Sequence, residues 1–127
     1  ESGDEAIQTQ ESAENYQKTI LVLKNRLGQV RSIDVVNELS FSKPSVSIAM
    51  KNLRVNGYID MDKNGNIELM EKGRAIAEKI YERHTLLTDW LTVLGVDPQT
   101  AAEDACRIEH VISEETFEAL KAHTAKK

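Results

Sequence analysis

A single cysteine, Cys106, stands in the whole chain, so no disulfide framework can form. A reduced, intracellular setting follows, in which the thiol is free to serve as a ligand or a sensor. No apolar run approaches the roughly 20 residues needed to cross a bilayer, and no charged-then-apolar signal opens the chain. The expectation is a cytoplasmic protein with no membrane partner. Basic residues are missing from the first fifteen positions, which hold Glu1, Asp4, Glu5, Glu11 and Glu14. Setting these acids aside leaves 16 acidic and 16 basic residues, so the net charge of -5 belongs to the leader. The neutral remainder is compatible with nucleic acid, because local distribution matters more than the sum. The equipment of an enzyme is also missing. Cys106 and His110 form a conceivable nucleophile and base, but no third orienting group or oxyanion device accompanies them. No enzymatic activity is expected.

What is present follows helical spacing, and 40% hydrophobic residues in 127 suffice for one ordinary domain or two small ones. Ser12 is expected to cap a first helix with the stripe Tyr16, Ile20, Leu23 and Leu27, ending at Gly28. Ser32 is expected to cap a shorter helix with Ile33, Val36 and Leu39 inward, broken by Ser40-Phe41-Ser42. A third helix begins near Ser42, tolerates Pro44 in its first turn, buries Val46, Ala49, Met50 and Leu53, and stops at Asn56-Gly57. The strand-like runs Tyr58–Met61 and Ile67–Leu69 surround Lys63-Asn64-Gly65-Asn66, a strong hairpin signal. Helix, short helix, tight turn, helix and hairpin is the order of a winged helix-turn-helix domain.

The third helix carries the polar chemistry that a major groove accepts. From Lys43 to Arg54 there are three cations and no acid. Ser42, Lys43, Pro44, Ser45, Ser47, Lys51 and Asn52 are the candidate contacts to double-stranded DNA. Lys43 and Lys51 suit phosphates, and Ser45 and Ser47 suit base edges. Lys63 and Asn64 at the hairpin tip suit a wing on the backbone or minor groove.

Beyond the hairpin, a long helix from about Arg74 to Leu94 has the stripe Ile76, Ile80, His84, Leu87, Leu91 and Leu94. His84 falls where a core residue belongs and needs a partner, ordinarily a backbone carbonyl. Gly95-Val96-Asp97-Pro98 ends this helix and opens another, with Asp97 as N-cap. On that next helix Cys106, Glu109 and His110 share a face, offering a sulfur, a carboxylate and an imidazole, all transition-metal ligand types. In isolation they read equally as a buried thiol, a surface glutamate and a half-exposed histidine. A last short helix begins at Ser113, with Phe117 and Leu120 inward. Trp90, Leu91, Val93 and Leu94 offer more apolar surface than so small a domain covers, which predicts a homodimer.

The stretch Asp104-Ala-Cys-Arg-Ile-Glu-His-Val-Ile-Ser113 resembles the metal-dependent transcriptional repressors of the diphtheria toxin repressor and manganese transport regulator type. Glu82-Arg-His-Thr-Leu-Leu87, Val93-Leu-Gly-Val-Asp97, Ser42-Lys-Pro-Ser-Val-Ser47 and Leu53-Arg-Val-Asn-Gly-Tyr58 share the likeness, which spans about residues 12 to 121. The resemblance implies a homodimeric repressor that binds a palindromic operator when loaded with Fe(II) or Mn(II) and controls metal uptake genes. It carries the metal motif to Cys106, Glu109 and His110, and the long-helix histidine to His84. Cys106 resembles the iron-responsive branch, whereas the two-domain length resembles the manganese-responsive one. The first-helix ligand fails to match: Asn15, with an amide oxygen, and Lys18 stand where the manganese branch has carboxylates. One principal ion is therefore expected, a second being lost unless Lys18 turns to solvent. Thiolate and imidazole donors also admit Co(II), Ni(II) or Zn(II) in vitro. The alternative is a metal-independent winged-helix repressor that senses oxidants through Cys106. The expected fold is mainly α with a small β-hairpin. It comprises a flexible acidic leader over 1–11, an N-terminal winged helix-turn-helix over 12–72, an all-α metal-binding and dimerisation domain over 73–123 and a tail over 124–127.

Overall fold

The computed structural model describes residues 2–125, with side chains from residue 10 onward. Glu1 and the last two residues of the expected tail lie outside the described residues. In chain order the elements are α1 (Ser2–Leu27), α2 (Ser32–Leu39), α3 (Lys43–Val55), β1 (Ile59–Met61), β2 (Ile67–Leu69), α4 (Glu71–Val93), α5 (Pro98–Val111) and α6 (Glu114–Ala125). This is the expected mainly helical fold with one hairpin. The chain divides into two compact units after Glu78, within α4.

In the first unit α1 starts at Ser2, so Ser12 lies inside the helix instead of capping it and the expected leader has helical backbone. The cause is local. Between Gly3 and Gly28 no Gly or Pro interrupts the chain, and each added residue gains a hydrogen bond at little cost once a helix exists. Tyr16, Ile20 and Leu23 are buried as expected, while Leu27 in the last turn is half exposed. Helix α2 is capped at Arg31, one residue before Ser32, and the Arg31 amide donates to Asp34 Oδ2 at 2.9 Å. Its fully buried residue is Val35, with Val36 and Leu39 partly buried, and Ile33 faces solvent. In an eight-residue helix two neighbouring stripes fit the period, and contact with the other helices chooses between them.

A left-handed Ser40 (φ 58°) closes α2, and the ring of Phe41 meets Tyr16 edge-on at 6.0 Å. Ser42 then caps α3, its Oγ accepting from the Ser45 amide at 3.2 Å. Val46, Met50 and Leu53 are buried, Ala49 partly so. The hairpin is antiparallel with Ile59 opposite Leu69 and Met61 opposite Ile67, and Tyr58 stays outside the strand. Its loop is longer than a two-residue Asn-Gly turn. Asp62 Oδ1 accepts from the amides of Asn64 (2.8 Å) and Asn66 (3.0 Å), and Gly65 has φ 84°. Arg31 Nη2 donates to the Asn64 carbonyl at 2.6 Å, tying the loop to the start of α2. At Gly73 any side chain is excluded, since a Cβ would lie 2.1 Å from the Tyr58 carbonyl oxygen.

The second unit uses α4 from Lys79 onward with α5 and α6. Along α4, Ile80 and Leu87 of the expected stripe are buried, and Gly73, Ala77 and Arg83 are buried outside it. Ile76, His84 and Leu91 are only partly buried, and Leu94 is exposed beyond the helix end. Asp97 caps α5, its Oδ2 accepting from the amides of Gln99 and Thr100. The inward line of α5 is Ala101, Ala105 and Glu109. Ser113 caps α6 through the Thr116 amide, with Phe117 buried and Leu120 partly so.

Candidate metal centre and nucleic-acid interface

Four-residue spacing places Glu109 on the same line as Ala101 and Ala105, so its carboxylate occupies a core position and is 0% exposed. A carboxylate there requires compensation. His84 Nδ1 lies 2.7 Å from Glu109 Oε1, and His110 Nε2 lies 3.3 Å from Glu109 Oε2. His84 therefore finds a carboxylate, not the backbone carbonyl ordinarily expected of such a residue. Three predicted metal donors are thereby brought together. Cys106, nearly one turn before Glu109 on α5, is partly buried. Asn15 lies partly buried on α1, in the first unit. Lys18, on the same helix, is buried rather than turned to solvent.

Among the described residues, no three His, Cys, Asp or Glu side chains are spaced as the donors of one ion. The carboxylate and imidazoles are instead bonded to one another. The donor chemistry nevertheless fits a divalent transition ion: a thiol, a carboxylate and two imidazoles are the types such ions accept. An ion would also take the place beside the buried carboxylate that the imidazoles hold here.

Sequence reasoning missed Arg83. It is 4% exposed, and its Nη1 donates to the carbonyls of Glu109 (3.1 Å) and Ile112 (2.8 Å). Nη2 donates to Glu114 Oε1 at 3.1 Å, and the guanidinium carbon lies 5.5 Å from the Phe117 ring centre. The available signal was its place three residues after Ile80 and four before Leu87, on the apolar line itself.

On the first unit, Ser42, Lys43, Pro44, Ser45, Ser47, Lys51 and Asn52 are all exposed, as is Lys63 in the hairpin loop. They lie away from the side of α3 that buries Val46, Met50 and Leu53. Ser42 is partly committed, because its Oγ donates to Ser45 Oγ at 2.8 Å while capping the helix. Two residues on this surface were not anticipated. Ile48 is 63% exposed, two positions after Val46 and so on the opposite side of the helix. Arg31 is held beside the hairpin loop by Asn64.

On the second unit a cavity of ≈ 560 Å³ opens beside α4, lined by Tyr81, Leu86, Trp90 and Val93 among others. Val93, Leu94 and Val111 are each more than 60% exposed. No helix among the described residues is long and apolar enough to cross a membrane.

Residues 8–67 match the iron dependent repressor N-terminal DNA binding domain, and residues 70–126 match the iron dependent repressor metal binding and dimerisation domain. The chain is 34% identical over 116 residues to the transcriptional regulator MntR of Escherichia coli, covering 91% of this chain and 75% of that protein. The chain belongs to the iron dependent repressor family. The members of this family are metal-dependent, DNA-binding transcriptional regulators. An HTH-type transcriptional regulator of Methanocaldococcus jannaschii is 32% identical, over 91% of this chain and 94% of that protein. Among solved structures, the manganese regulator SloR superposes with a TM-score of 0.80 at 27% identity, over 91% of this chain and 54% of that one. The metal-dependent regulator MtsR gives 0.81 at 26%, over 89% and 53%. The chain thus spans about half the length of these solved relatives.

Proposed function

We propose that this iron dependent repressor family member binds a palindromic operator as a homodimer when loaded with Fe(II) or Mn(II), and represses genes of metal homeostasis. The observation that carries the reading is the fully buried Glu109 carboxylate between His84 and His110, in the unit that matches the metal binding and dimerisation domain. Cys106, Glu109, His110 and His84 hold one principal ion. The bound ion supplies positive charge and directional bonds that fix these side chains. Sulfur and imidazole donors select later first-row ions over Mn(II), so Co(II), Ni(II) and Zn(II) also bind in vitro.

The exposed apolar residues Val93, Leu94 and Val111 supply a surface for a second copy, related by a two-fold axis. Two copies of α3 then read half-sites one helical turn or a multiple apart. Lys43, Lys51 and Lys63 meet phosphates, and Ser45, Ser47 and Asn52 face base edges, with Ser42 and Pro44 at the helix start. Nothing observed favours oxidant sensing through Cys106.

The test is DNA binding under anaerobic conditions, with duplexes selected from a randomised library, titrated against Fe(II) and Mn(II). Binding should rise with either ion and vanish with a chelator. Full affinity in metal-free protein would overturn the reading. Sedimentation showing only monomer at micromolar concentration with metal present would overturn the dimer.

A further inference from the structure

Burying a guanidinium is costly unless its N–H groups are matched, so its partners are informative. Both carbonyls that Arg83 serves, those of Glu109 and Ile112, belong to the end of α5. A helix leaves its last carbonyls without N–H partners, and its C-terminus favours a cation. Arg83 on α4 therefore caps α5 from outside. The next residue on α4, His84, contacts the Glu109 carboxylate at 2.7 Å. Adjacent residues of one helix thus grip a single residue of the other, one by its main chain and one by its side chain. Through Glu114 the same guanidinium reaches the first turn of α6.

A hydrogen bond between two side chains leaves both free to follow their own torsions, and it does not by itself set where the helix backbone stands. A planar guanidinium whose Nη1 holds two main-chain oxygens, and whose orientation Nη2 pins through Glu114, does. We infer that Arg83 is the positioning residue of the metal centre: it fixes the last turn of α5 so that Glu109 and His110 stand within reach of His84. This rests on the reading of these residues as a metal centre. Arg83 contributes no donor to the ion and acts only through the backbone it holds. Lysine cannot replace it, because an ammonium is a point charge on a flexible stem, with no second nitrogen to reach Glu114 while the first holds both carbonyls.

The test uses the full chain and its Arg83→Lys and Arg83→Met variants. Mn(II) and Co(II) affinities are measured by anaerobic calorimetry, together with the Co(II) absorption spectrum and thermal unfolding of each protein in chelator. Groups that orient metal ligands typically contribute about ten- to hundredfold in affinity, and both variants should lose that much. Arg83→Lys, which keeps the charge, should also show an altered Co(II) spectrum while its metal-free unfolding temperature stays near the parent value. A purely structural role would instead lower the unfolding temperature and leave the spectrum and affinity of the folded protein unchanged. Parent affinity and spectrum in Arg83→Lys would overturn the inference alone. If the unmodified chain bound neither ion, the metal reading itself would fail, and the inference with it. Should both variants fail to fold, the guanidinium N–H resonances of Arg83 in the unmodified protein provide the second measurement. They should shift when diamagnetic Zn(II) is added, and unchanged resonances would overturn the proposal.

Discussion

The two units bury their interiors with different materials. In the first, Ile20, Leu23, Val30, Val35, Val46, Met50, Ile59 and Ile67 form a continuous apolar cluster drawn from three helices, both strands and the segment between α1 and α2. In the second, the inward line of α5 is two alanines and a glutamate, and Arg83 and Glu109 lie buried beside Ile80, Leu87 and Phe117. Alanine contributes little apolar area, so the second unit rests more of its order on polar contacts. Apolar burial is non-directional and indifferent to small ions. Buried carboxylate and imidazole groups are directional and respond to whatever cation reaches them. The contrast separates an apolar scaffold that carries α3 from a unit whose interior is partly polar and which, under the proposed function, would respond to a bound ion.

The comparison can be broken first at the core. Ile20 is fully buried, and Ile20→Ala should cost about 4 kcal/mol in chemical denaturation. The loss should be the same with or without metal. A metal-dependent loss would show that the first unit is no independent scaffold. Next comes Glu109→Gln. With Mn(II) at a hundredfold over the dissociation constant, binding stabilises the parent by about 2.7 kcal/mol. The variant should lose nearly all of that metal-induced increment in thermal unfolding with Mn(II) and with chelator. An undiminished increment would remove Glu109 from the donor set.

A smaller effect is expected in the hairpin loop. The Asn66 amide, then the Asn66 side chain and the Asn64 and Gly65 amides, hold the Asp62 carboxyl below its ordinary value. A group lowered by folding stabilises the folded form above its ordinary range and loses that contribution as pH falls through the lowered value. Acid should therefore loosen residues 62–66 before the rest of the first unit, seen as lost protection of the Asn64 and Asn66 amides relative to their intrinsic exchange rate at each pH. Loop amides that stay protected until global unfolding would count against it. The smallest change is expected from Lys51→Ala. It should weaken binding to all DNA sequences alike and reduce the salt slope by about one. A changed sequence preference with an unchanged slope would assign Lys51 to base reading instead.

Much of this architecture was legible because it is written in local chemistry. Ser42, Asp97 and Ser113 cap helices through amides two or three residues away. Gly28 and Gly57 end helices with positive φ, a conformation open to glycine. Glu109 and His110 were singled out by their helical spacing from Cys106, because residues sharing one face of one helix need no knowledge of other elements. The start of α1 was misjudged for a related reason: Ser12 is a good cap by type, but an uninterrupted helix passes through it.

What could not be read lies in contacts between distant segments. Helical period allowed either Ile33 or Val35 to face inward on α2, and packing against other helices chose Val35. The line Ile80, Arg83 and Leu87 marks Arg83 for burial but not what it meets there, since the carbonyls it caps are 26 and 29 positions away. His84 found its carboxylate in the same way, 25 positions along. Residue type and spacing set which groups can cap, turn or ligate, because those interactions close within one or two helical turns. Which buried charge meets which carbonyl is set by the approach of α4 to α5, and no single stretch of the chain encodes that distance.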